Sequence, residues 1–133
     1  MAIKKQTKKS EDFDFRTIKT KEDAFKKCGY DPAILPDLSM IPEKFRDSLI
    51  TAFILMVIFE AINDGWEPDF SNHNQAKYYP WPWVLSSGFG FSYSDFYYDI
   101  TLTTVGSRLC FESQEKAIYA GKQFLNLYQE FLT

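Results

Sequence analysis

Apolar residues keep a helical rhythm up to about residue 64 and a period of two beyond about residue 80, and this change of rhythm limits the folds open to the chain. In the first part Phe45, Leu49 and Phe53 share one stripe, and the run FILMVIF from Phe53 to Phe59 makes the following turns apolar nearly all round. A helix of that kind is enclosed by other elements of the chain or by a partner chain. The run is far shorter than the roughly 20 residues that span a bilayer, so no membrane role is expected. Pro42 suits the first helical position, where its missing N–H would have no partner anyway, and Gly65 stops the helix. A long central helix is therefore expected from Pro42 to Asp64.

Beyond residue 80, Phe96, Tyr98, Ile100 and Leu102 alternate with Tyr97, Asp99, Thr101 and Thr103, as in a half-buried strand. Phe89, Phe91 and Tyr93 alternate with Gly88, Gly90 and Ser92, and Ser94-Asp95 offers the turn between the two. Ser107 to Phe111 reads as a third strand. Trp81 to Leu85 reads as a fourth, at an edge, because Pro82 cannot donate to a ladder. Ser113 caps a last helix in which Ala117, Gly121, Phe124, Tyr128 and Phe131 recur at helical spacing. Near the start, Thr20 and Asp23 form a capping box for a helix from Lys21 to Cys28 that ends at Gly29. Pro32 and Pro36 forbid regular helix in the connector that follows, and its Ile34, Leu35 and Leu38 are expected to cover the core. The expected fold class is α+β: an antiparallel meander of three or four strands packed against a long central helix and a C-terminal helix. Residues 1–16 read as a flexible basic leader and 17–133 as a single α+β domain.

The chain has 133 residues, 18% of them aromatic, enough large rings to build a core without staples. Charge is unevenly spread. Residues 1–27 carry nine Lys/Arg against five acids, whereas 28–133 carry six against thirteen, so a leader near +4 precedes a body near −7. An acidic body argues against a broad phosphate-binding surface. A basic leader can touch nucleic acid or an acidic surface. Cys28 and Cys110 have no CxxC spacing and read as reduced thiols of a cytoplasmic protein.

No catalytic or metal constellation emerges. GFGF at Gly88–Phe91 is followed by no helix and no Lys-Ser/Thr pair, so its glycines read as strand packing rather than a phosphate loop. His73 is the single histidine, and Asp69 and Asn72 beside it make a poor ligand set. Any nucleophile would have to use His73 as base, and no GxSxG occurs. Cys110 reads as a structural thiol. An enzyme would need a pocket lined by Asp99, Arg108 or His73. The expectation is no enzyme, no cofactor and no metal.

The oddest stretch is NHNQAKYYPWPW, Asn72 to Trp83. Amides can read planar hydrogen-bonding edges and rings can stack on bases, while Tyr and Trp also dominate protein interfaces. Trp66, Asn72, Asn74, Gln75, Lys77, Tyr78, Tyr79, Trp81 and Trp83 are therefore the candidate binding residues. The competing structural reading packs the rings on the long helix and uses the amides to bridge the loop backbone.

Two blocks, EAINDGWEPDFSNHNQAKYYPW (Glu60 to Trp81) and VGSRLCFESQEKAIYAGKQFLNLYQEFL (Val105 to Leu132), resemble a family of small uncharacterised proteins found in gut Bacteroidetes and in their phages and prophages. The resemblance implies a mobile-element setting and no mechanism. The leading expectation is an accessory protein that binds another macromolecule, foremost a protein, as an inhibitor of a host factor or defence system would. Two alternatives stay open: a single-stranded nucleic-acid binder using residues 1–27 and the aromatic loop, and a virion or self-assembling protein that forms homo-oligomers. The expected location is the cytoplasm of the host cell, or the virion.

Overall fold

The computed structural model describes residues 12–72, 74–80, 83–85, 88–90, 99–100 and 109–132, and for residues 83–85, 88–90, 99–100 and 132 the backbone. Phe13 and Phe15 pack against the core. Phe15, in a 3-10 turn over Phe15–Thr17, meets the Tyr119 ring edge-on at 5.5 Å. The Tyr119 hydroxyl donates to the Ile18 carbonyl at 2.6 Å, which ties this entry segment to the C-terminal helices.

Helix α1 spans Lys21–Cys28 and opens with the full capping box. The Thr20 hydroxyl accepts from Asp23 N–H, and the Asp23 carboxylate accepts from Thr20 N–H, both at 3.1 Å. Gly29 ends it at φ +78, where a side chain would be strained. Helix α2 spans Glu43–Asn63, and its chain reversal passes through Asp64 and Gly65, both at positive φ. Helices α3 (Gln114–Gln123) and α4 (Leu125–Leu132) follow the Ser113 cap, with Phe124 at the break between them. The core lies where α1, α3 and α4 pack on α2. Its centre is Leu55, Ile58, Phe59 and Ile62, closed by Phe25, Phe111 and Tyr128. No helix among the described residues is long and apolar enough to cross a membrane.

The expected meander is not seen among the described residues. The described fold is mostly helical, and its strands are two or three residues long. Strand β1 (Tyr78–Tyr79) pairs antiparallel with β4 (Asp99–Ile100), and β2 (Trp83–Leu85) pairs antiparallel with β3 (Gly88–Gly90). The α+β class with a three- or four-stranded meander is therefore overturned. Of the expected third strand, Phe111 alone makes a bridge, to Tyr78, and Leu109 and Cys110 are irregular. Ser107, Arg108 and most of the expected strands at 91–98 and 101–103 lie outside the described residues.

A physical reason for the missing ladder stands on α2. Phe111 exchanges both backbone hydrogen bonds with Tyr78, at 3.1 and 2.8 Å. The outward groups of its neighbours would normally pair with a further strand. Here the Asn63 amide takes them, donating to the Cys110 carbonyl at 2.9 Å and accepting from Glu112 N–H at 3.1 Å. A helix side chain thus occupies the edge at which a sheet would have grown.

Candidate functional site

Most of the residues singled out from the sequence fall in the loop between α2 and β1, and this loop is built from its own side chains. Asn72 accepts from Asn74 N–H at 3.0 Å, and Asp69 accepts from Ser71 N–H at 2.9 Å. The Gln75 side chain accepts from Asp69 N–H at 2.6 Å and donates to the Glu67 carbonyl at 3.5 Å. These are the local turns that Asn and Asp favour. The Ser71 and Asn72 hydrogen bonds, those of Ser71 foremost, hold the Asp69 carboxyl below its ordinary range.

Lys77 is fully buried. Its ammonium donates to the Gln75 carbonyl at 3.0 Å and lies 5.2 Å from the centre of the Phe70 ring. Tyr78 and Tyr79 are half-buried. Trp66 lines a recess of about 260 Å³ with Met56, Glu60 and Phe70. Trp83 lies in β2, where the backbone alone is described, and Trp81 and His73 lie outside the described residues. The structure therefore brings Asn72, Asn74, Gln75 and Lys77 together as the frame of a loop.

The exposed apolar surface lies elsewhere. Spacings of four, three and four place Phe45, Leu49, Ala52 and Met56 on one stripe of α2. Phe45, Leu49 and Met56 are 51%, 43% and 52% exposed. Phe45 and Leu49, which their spacing groups with Phe53 on one stripe, thus turn outward. Ile34 and Leu35 of the connector, expected to cover the core, are exposed as well, while Leu38 is half-buried. Tyr30, beside Ile34 and Met56, and Met40 are exposed too. One sign was readable in advance: no charged residue falls on the α2 stripe between Lys44 and Glu60, whereas a solvated helix face normally carries charge.

Between the connector and α2 this surface sinks into a recess of about 450 Å³, lined chiefly by Tyr30, Ile34, Phe53, Met56 and Val57 over Phe25. The Phe25 and Phe53 rings meet edge to face at 5.9 Å. Two carboxylates, Asp31 and Glu60, stand on its lining. The Tyr30 hydroxyl reaches both Glu60 oxygens at 3.0 Å. Burial, then the Glu60 carboxylate, pushes the Tyr30 phenol above its ordinary value. Cys28 sits behind this wall and donates to the Val57 carbonyl at 3.7 Å. Burial first, then the Glu60 charge, pushes its thiol up to about 12. Burial likewise pushes Cys110 up to about 11. Both sulfurs are protonated at neutral pH and poor nucleophiles.

Asp99 lies in β4, and Arg108 and His73 lie outside the described residues. No group of three or more metal-ligating side chains occurs among the described residues. Compared with protein-family models, curated proteins and solved structures, the chain finds no match.

Proposed function

We propose that this chain is a non-enzymatic accessory protein of a phage or mobile element that binds another protein through the outer face of α2 and the connector beside it. The observation that carries the reading is the bare stripe Phe45, Leu49 and Met56 with the exposed Tyr30, Ile34, Leu35 and Met40. At roughly 200 Å² per fully exposed side chain of this size, their exposed fractions amount to about 800 Å². One partner contributes about that area to a standard protein interface. Inhibition of a host factor or defence protein in the host cytoplasm fits such a surface.

A second copy is the second reading, because a stripe with a spacing of four, three and four can pack antiparallel on itself, Leu49 against Ala52 and Phe45 against Met56. The nucleic-acid reading has less support, since the Asn72 and Gln75 amides already serve the loop backbone.

The test uses the double variant Phe45→Asp/Leu49→Asp. Both positions are exposed, so stability should change by no more than about 0.5 kcal/mol per site. Host-lysate capture by the wild type is expected to retain a partner that the variant loses. Sedimentation of the wild type alone separates a partner protein from a second copy. Equal retention by both proteins, or capture of background alone, would remove the reading.

A further inference from the structure

We propose that the recess beside Glu60 is a binding site for a primary alkylammonium group, such as the head and stem of a lysine side chain presented by the partner. This deepens the proposed function by naming the chemistry of one contact on the same surface. It begins with the carboxylates. An ionised carboxylate offers about four acceptor positions over its two oxygens. Glu60 receives one donor, the Tyr30 hydroxyl, shared between both oxygens. Asp31 receives Ala33 N–H at 2.9 Å. No cation of the described residues compensates either group. Lys27, at the end of α1, is held by Asp64 at 2.9 Å and lies over the Phe13 ring at 4.0 Å. The field of Glu60 reaches Cys28, whose thiol it helps to keep protonated.

The rest of the lining is apolar and aromatic. Phe53 and Tyr30 present ring surface, Ile34, Met56 and Val57 present aliphatic and thioether surface, and Phe25 closes the floor. A neutral apolar ligand would leave the carboxylates uncompensated, and a small inorganic cation would leave the walls bare. An alkylammonium satisfies both. Its stem lies along Ile34 and Met56, as lysine stems do on apolar surface. Its head donates a charge-assisted hydrogen bond to Glu60 and makes favourable contact with ring faces. Residues 28–133 carry a net charge near −7, which favours cations over anions as ligands.

The test titrates the full chain with n-pentylammonium chloride and, separately, with the neutral n-pentanol, following the Met56 and Ile34 methyl signals by NMR. Saturable shifts in the millimolar range are expected for pentylammonium, with pentanol about fivefold or more weaker, a difference of about 1 kcal/mol. Glu60→Gln keeps an acceptor for Tyr30 and, with Asp31 still charged, should narrow the difference between the two probes. Ile34→Ala, at a side chain 68% exposed, should weaken both probes alike. Equal affinity of the wild type for both probes, selectivity undiminished by Glu60→Gln, or absence of saturable shifts would overturn the site. None of these outcomes touches the Phe45/Leu49 capture result, because neither residue lines the recess, so the two readings fail separately.

Discussion

Phe59→Ala is expected to lower unfolding stability by about 3–5 kcal/mol, the usual cost of deleting a buried aromatic side chain. Phe59 is 3% exposed and its ring stacks on Phe111 with centroids 4.1 Å apart and planes 18° apart. The same ring meets Tyr128 edge to face at 6.4 Å. It therefore joins three stretches of chain: α2, the segment that bridges to β1, and α4. Deleting it strips two aromatic contacts and opens a cavity that neighbours fixed in helices can fill only partly. Phe59→Leu, which keeps most of the volume, should cost less than half as much. Urea or guanidinium unfolding measures both. A loss below about 1 kcal/mol for the alanine variant would mean that the ring is not in the core.

Asn63→Ala is the second large effect, at about 2–4 kcal/mol. Its amide is 3% exposed and bonds the Cys110 carbonyl and Glu112 N–H together. Truncation leaves both backbone groups without their partner, and an unsatisfied buried group costs about 1–3 kcal/mol. Asn63→Asp separates the two halves of the arrangement. The carboxylate can still accept from Glu112 N–H, but it cannot donate to Cys110, so it should be destabilising as well. The same unfolding experiment measures these variants. A near-neutral alanine variant would mean that the amide does not hold the 110–112 segment.

The helices were readable because their signals are local. Thr20 with Asp23, Gly29, Pro42, Gly65 and Ser113 mark ends through backbone chemistry that needs no distant partner. The break at Phe124 was not readable, because no proline marks it. The strands were misjudged because alternation states which side chains could share a face, not whether a neighbouring backbone is there to pair with. At 110–112 that neighbour is Asn63, and nothing in the period of two around it signals a helix side chain in the place of a strand.

The exposed apolar stripe of α2 was not singled out for a related reason. The polar, ring-rich loop drew the assignment, but Gln75 and Asn72 are consumed by turns, and Lys77 is drawn inside. Periodicity groups Phe45, Leu49 and Phe53 together without saying whether their common side meets the core or solvent. The charge-free interval on the same stripe was the one available hint.

The central claim is that α2 has two apolar sides, one enclosed by the fold and one left open for a partner. Attenuation of methyl signals by a soluble paramagnetic agent tests it on the isolated chain. Leu49 and Met56 should be strongly attenuated, while Leu55, Ile58 and Ile62, all fully buried, keep their intensity. Protection of Leu49 and Met56 equal to that of Leu55 in a dilute sample that sediments as a monomer would contradict it.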